Sequence, residues 1–239
     1  MIALRSLLFN CLFFAYTAWT ALRLTPRLMF GDADIKPAVK RWAAGVLWLL
    51  DHVVGITYEL RGVEHIPEGG VLLAAKHQSA WDTMMFHLFV PHSVYVTKQE
   101  VISIPLYGAV AKSIGSISID RQGGGKALKG LIRDCRAAID SGHQVIIFPE
   151  GTRTAPGASL PYQPGVAAVY KQIDAPVVPV ALNSGLFWGR RSFLKQPGRI
   201  IVEFLPAIEP GLDRKLFLSQ LEQRIEAATA ALIAEAANS

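Results

Sequence analysis

His77 and Asp82, in the run Lys76-His77-Gln78-Ser79-Ala80-Trp81-Asp82, are the residues of this chain best suited to move a proton. Five positions along one regular helix would set the two side chains about 140° apart. The pair therefore meets only if His77 lies in a loop and Asp82 in the first turn of a helix behind it. The hydropathy pattern allows this: Val71–Ala75 reads as a buried strand ending just before His77, and residues 80–89 read as the helix after it. Asp82 would then bind one ring nitrogen, fix the tautomer and stabilise an imidazolium, leaving the other nitrogen to accept a proton. The same residues also fit a capping box, with Ser79 as N-cap and Asp82 three positions on. On that reading His77 is an ordinary loop histidine, but one carboxylate can serve both roles. His52, His65, His87, His92 and His143 have no comparable acidic setting and read as structural or surface residues.

Three further segments carry anion-binding chemistry. GSISIDR (115–121) reads as a short strand ending in Asp120 and Arg121. Arg121 offers either a bidentate fork to a phosphate or a salt bridge to a carboxylate such as Asp120. FPEGTR (148–153) follows the strand 145–148. Gly151 permits close backbone approach there, and Thr152 and Arg153 can donate to an anion; the plain alternative is a turn with a surface ion pair. VPVALNSG (178–185) contains Pro179, which predicts an edge or terminal strand. Nothing matches HExxH, paired-cysteine metal spacing or a Gly-x-Ser-x-Gly elbow, and Cys135 lies far from these segments. A metal site and a covalent enzyme intermediate are therefore not expected.

The elements that must position these residues alternate. Strands are predicted at 57–60, Val71–Ala75, 94–97, 145–148, 177–181 and 200–205, with helices at 80–89, 106–113, 126–141, near Gly165 and over 214–236. Gly123 to Gly125 reads as a linker. Such alternation implies an α/β unit, here residues 56–239, with helices on the faces of its sheet. The N-terminal residues 1–55 differ. Residues 6–22 carry no charge and are bracketed by Arg5 and Arg23. As a helix they reach roughly 26 Å, enough to span barely, or to embed in, a bilayer core of about 30 Å. No small-x-small cleavage site follows, so an anchor is favoured over a signal peptide. The cations after it outnumber those before it, which puts the main domain on the cytoplasmic side of the inner membrane. A second apolar stretch, 42–56, is interrupted by Asp51 and His52 and reads as an interfacial or a core helix. Over 239 residues, 51% hydrophobic content, mean hydropathy of +0.30 and a formal charge of +5 suit a large core or lipid contact. The charge suits nucleic acid, anionic lipid or a phosphorylated ligand, and alone does not choose among them. Two cysteines exclude a disulfide framework.

Taken together, HQSAWD (77–82), GSISIDR (115–121), FPEGTR (148–153) and VPVALNSG (178–185) resemble, in order and spacing, the four blocks of the glycerolipid acyltransferase family, most closely its bacterial branch acting on 1-acyl-sn-glycerol 3-phosphate. One His-x4-Asp is common; four blocks in sequence are specific, and they cover residues 56–208. The resemblance implies a mixed sheet flanked by helices behind a membrane-associated helical pair. It implies transfer of a fatty acyl group from acyl-CoA or acyl-carrier protein to the sn-2 hydroxyl of lysophosphatidic acid, with His77 as base and Asp82 orienting it. It further implies that Arg121 binds the phosphate, that Glu150, Gly151, Thr152 and Arg153 shape and bind the acceptor site, and that Lys98 is another phosphate ligand. No cofactor beyond the thioester and no nucleic acid partner is implied; membrane lipid is. Other lysolipid acceptors, or hydrolysis of a phospholipid ester, are the competing activities. Lys76 stands where many relatives have asparagine, and Ser118 where many have an aromatic residue.

Overall fold

The computed structural model describes residues 1–29, 34–104, 106–120 and 122–238. Seven strands form one sheet: β1 (Ile56–Arg61), β2 (Val71–Ala75), β3 (Ser93–Lys98), β4 (Ile117–Ile119), β5 (Gln144–Ile147), β6 (Val177–Leu182) and β7 (Gly198–Phe204), in the spatial order β1-β7-β6-β2-β5-β3-β4. Strands β6, β2, β5, β3 and β4 are mutually parallel; β7 is antiparallel to β6 and parallel to β1. The sheet is therefore mixed, and its predicted strands start and stop within two residues of the observed ones.

Helices cover both faces. On one side lie α1 (Ile2–Met29), α2 (Lys36–Leu49) and α3 (Asp82–Phe89); on the other lie α6 (Gly124–Asp140), α7 (Pro164–Tyr170) and α8 (Arg214–Ala237). The short helices α4 (Gln99–Ile102) and α5 (Tyr107–Ser113) link β3 to β4. The period-2 alternation of a strand divides β2 between two cores. Leu73 and Ala75 face Phe9, Val46 and Trp81, whereas Leu72 and Ala74 face Leu131, Val166 and Phe217. Gly124 and Gly125, expected in a linker, instead open α6.

Pro179 does not mark an edge: β6 runs between β7 and β2. The reason is local. The Pro179 carbonyl accepts from Leu205 N, so its missing N–H also falls on the β7 side. There β7 has ended at Phe204, and the next contact is the isolated Val177–Ile208 bridge. The proline occupies a gap in the ladder, where no donor is needed.

Helix α1 runs along the domain. Arg5 Nε donates to Val53 O (2.6 Å), Lys195 N donates to Ser6 Oγ (2.9 Å) and Trp42 Nε1 donates to Thr17 Oγ1 (3.1 Å). Phe9 and Leu24 are buried beneath it, while Leu4, Leu8, Phe14, Trp19 and Leu22 face outward. The second apolar stretch continues α2 into a π-helical turn, Leu50–Val54, stopped by Gly55 at φ 83°. Val46, Leu50 and Val54 join the core and Trp48 stays exposed, so this is a core helix with one open face.

Candidate active site

Strand β2 ends at Ala75, and the chain leaves the sheet at Lys76 and His77 before α3 begins at Asp82. His77 Nδ1 lies 2.9 Å from Asp82 Oδ2. The same oxygen accepts from Gln78 N (2.7 Å) and Ser79 N (2.8 Å), while Ser184 Oγ donates to Asp82 Oδ1 (2.6 Å). A carboxylate offers only acceptors, and four donors converge on this fully buried one. The expected capping by Ser79 is not formed, since α3 starts at Asp82 with Trp81 as its N-cap; Ser79 Oγ instead accepts from Trp81 N within the loop (3.1 Å). Asp82 thus ties the loop to the helix and also orients the imidazole.

The imidazole is pinned from its flat side too. It stacks on Phe148, with ring centroids 4.0 Å apart and planes 18° apart. With Nδ1 committed to Asp82, Nε2 has no hydrogen-bond partner among the described residues, and His77 lines a cavity of about 930 Å³. Polar groups on that cavity include Lys98, Thr152, Arg153 and Arg190; its apolar lining comes from α1, α2, α3, α5 and α6. No carboxylate lies within ion-pair distance of Arg153 or Arg190 among the described residues. Arg190 Nη1 donates to the Arg153 carbonyl (3.1 Å), which brings two guanidinium side chains to one place. Burial, and then the nearby positive charge of Arg190, holds the Arg153 guanidinium below its ordinary pKa. An anion entering here would relieve that repulsion.

The four sequence blocks divide into residues that line the cavity and residues that support them. His77, Lys98, Gly151, Thr152 and Arg153 line the cavity. Glu150 does not; it is buried behind His77, where Oε1 takes Lys76 Nζ (2.8 Å) and Oε2 takes His77 N (3.2 Å). Asp120 lines the cavity and accepts from Gln122 N (2.9 Å); Arg121 lies outside the described residues. The VPVALNSG block supports the dyad through Ser184 and through Gly185 N, which donates to Gln78 Oε1 (3.0 Å). A Cβ on Gly185 would come within 2.9 Å of Gln78 Cβ, so the approach requires glycine. Sequence reasoning missed Arg190, Ser184, Tyr162 and Glu226. The adjacent arginines 190 and 191 were the one local signal for the first. The others act across 64 to 150 positions, as in the Tyr162–Glu226, Ser184–Asp82 and Lys76–Glu226 contacts, and no spacing rule reaches that far. Cys135 is buried in the second core, and burial pushes its thiol up to about 12, consistent with a purely packing role.

His87, on α3, also lines the cavity, with Nδ1 2.9 Å from Ser93 Oγ. Burial first, and then the charges of Lys40 and Lys36, push its imidazole down from 6.5 to about 4. The folded chain therefore keeps His87 neutral while the unfolded chain protonates it. This penalty is absent above pH 6.5, grows as pH falls and levels off near pH 4; at full extent it is of order 3 kcal/mol. His87→Gln is expected to flatten the fall in thermal midpoint across that window, as read by unfolding scans from pH 7 to 4.

The architecture places the chain in a known structural class. The crystal structure of the 1-acyl-sn-glycerophosphate (LPA) acyltransferase PlsC from Thermotoga maritima superposes with a TM-score of 0.77 over 98% of each chain at 20% identity, which shows a shared fold. The sequence takes the assignment further. Residues 57–183 match the Acyltransferase family model, and the chain belongs to that family. A 1-acyl-sn-glycerol-3-phosphate acyltransferase of Pseudomonas aeruginosa is 34% identical over 236 residues, which cover 98% of this chain and 91% of that relative. A plant protein of the same description, from Limnanthes alba, is 32% identical over 165 residues, and the chain spans only 57% of its length. The protein is an acyltransferase.

Proposed function

We propose that the protein transfers a fatty acyl group from a thioester, acyl-CoA or acyl-carrier protein, to the sn-2 hydroxyl of lysophosphatidic acid, giving phosphatidic acid. The observation that carries the reading is the His77–Asp82 pair, whose free Nε2 belongs to the same cavity as Arg153 and Arg190. His77 Nε2 takes the hydroxyl proton as the oxygen attacks the thioester carbonyl. The tetrahedral intermediate collapses with cleavage of the C–S bond, and the imidazolium returns its proton to the departing thiolate. Asp82 holds Nδ1–H toward itself throughout. Lys98, Arg121 and Arg153 are assigned to the acceptor phosphate, Arg190 joins them, and Gly151 and Thr152 shape that end of the cavity. The scheme uses no metal and no cofactor beyond the thioester. The names and activities of the relatives support this acceptor.

Purified protein incubated with lysophosphatidic acid and each donor should form phosphatidic acid. Equal rates with a lysolipid lacking the phosphate would redirect the reading to another acceptor. Release of fatty acid from phosphatidic acid without thioester would indicate a hydrolase. Arg190→Ala is expected to raise the acceptor KM about tenfold or more, the worth of one charge-assisted hydrogen bond, with the donor KM within twofold; equal effects on both would remove Arg190 from the phosphate site.

We also infer that α1 embeds in one leaflet. It is long and apolar enough to cross a bilayer, yet its contacts with the domain extend from Arg5 to Leu24. A helix tied down along that length cannot stand upright while the domain stays on one side. With α1 lying in the interface, flanking charge no longer reports topology, and placement on the cytoplasmic face of the inner membrane rests on the cytosolic thioester donor. Leu8→Glu with Phe14→Glu and Leu22→Glu changes only outward positions. Each buried apolar side chain is worth about 1.5–3 kcal/mol, so the triple variant is expected to leave the floating fraction in vesicle flotation. Full retention would assign membrane binding to another surface.

A further inference from the structure

We propose that Glu226, on the C-terminal helix α8, is a positioning residue for the transfer reaction, acting through Lys76 and Glu150 on the backbone of His77. The inference rests on the reading of His77 as the base. Lys76 is fully buried, with Nζ bonded to Glu150 Oε1 (2.8 Å), to Glu226 Oε1 and Oε2 (2.8 and 2.9 Å) and to the Ala158 carbonyl (3.3 Å). An ammonium has three protons, and three acceptor groups meet them. Glu226 is held in turn by the Tyr162 hydroxyl (2.9 Å).

The network ends on His77. Glu150 Oε2 accepts from His77 N (3.2 Å), and Thr154, whose hydroxyl donates its one proton to Glu150 Oε1 (2.7 Å), donates its backbone N–H to the His77 carbonyl (2.8 Å). Both backbone polar groups of His77 are thus anchored to this cluster rather than to a neighbouring strand. Asp82 and Phe148 set the direction of the ring, and the Lys76 cluster sets where its Cα sits. Buried ion pairs contribute little net stability against an apolar replacement, whereas a displacement of about 1 Å at a reacting group costs on the order of a hundredfold in rate. A lysine here, where the resemblance leads one to expect asparagine, reaches far enough to enlist α8.

The test uses the full chain in detergent. Glu226→Gln keeps the shape and one acceptor oxygen; Glu226→Ala removes the arm. With lysophosphatidic acid and its thioester donor, Glu226→Ala is expected to lower kcat about ten- to a hundredfold, with both KM values within twofold. Glu226→Gln should fall between it and wild type. Arg224→Ala, on the same helix and bonded to the Pro206 carbonyl, is the control for loosening α8: its thermal midpoint should drop and its kcat should not. A second readout needs no substrate. Carbethoxylation of His77 by diethyl pyrocarbonate, followed by mass spectrometry, should speed up several-fold in Glu226→Ala as the ring leaves Phe148 and Asp82. Folded Glu226→Ala with wild-type kcat and carbethoxylation rate overturns the proposal. If Glu226→Ala does not fold, the Gln variant decides by the same two measurements. Absence of transfer in the wild type, with carbethoxylation still dependent on residue 226, would sink the substrate reading and leave the positioning intact.

Discussion

Alanine in place of His77 is expected to reduce kcat by about a thousandfold while leaving the protein folded and both substrates bound. General-base catalysis by a held imidazole contributes ~10²–10⁴, and among the described residues His77 is the cavity imidazole held by a carboxylate, whereas His87 is bonded to Ser93 Oγ. The fold should survive because the backbone of residue 77 is held independently of its side chain, by Glu150 and Thr154. The losses on truncation are the ring's stacking on Phe148 and its contact with Asp82, which keeps three other donors. Phosphatidic acid formation, with KM values and a thermal melt, checks each part. Turnover above about a tenth of wild type would exclude the base role, being far smaller than any general-base contribution.

Asp82→Asn is the second large effect, and its signature differs. An amide cannot accept from all four donors that now meet the carboxylate, because half of it is itself a donor. With its NH2 group toward Ser184, that hydroxyl must accept instead of donate; turned the other way, the NH2 opposes the Gln78 and Ser79 amides and the His77 Nδ1–H. The imidazole loses the negative charge that secures its Nδ1–H and stabilises the imidazolium; this change has cost about 10⁴ in kcat in an analogous His–Asp pair. At least one buried donor is left unmet, at about 1–3 kcal/mol. The variant is therefore expected to lose both activity and thermal midpoint, whereas His77→Ala loses activity alone. An Asp82→Asn protein with an unchanged melt would mean that the four short contacts are not formed in solution.

What could be read from the chain beforehand followed the range of the forces involved. Strand β2 was legible to the residue, because five buried apolar positions end abruptly at a lysine and a histidine. The His77–Asp82 contact was also legible, since it spans a single turn and helix geometry limits how the two can meet. Pro179 misled because its consequence depends on where another strand stops, 25 residues later at Phe204. Glu150 was expected among the acceptor-shaping residues by block membership, but its side chain turns from the cavity to Lys76. That choice depends on Glu226, in a helix whose local pattern describes only its apolar stripe. Arg190 was invisible for a related reason: it follows the last recognisable block, on a loop carried to the cavity by β6 and β7.

Helix α1, proposed to hold the chain against lipid, also forms part of the site. Thr17, Thr20, Ala21 and Leu24 belong to the wall of the same chamber that contains His77. With α1 embedded as proposed, enzyme and bilayer share a partition, and trimming the hydrophobic segment to obtain a water-soluble catalyst would leave the chamber without one of its sides. Detergent molecules that coat this helix sit next to the route an acyl chain would take. Rates measured in micelles should accordingly vary with detergent tail length even when head group and substrate concentration are held constant.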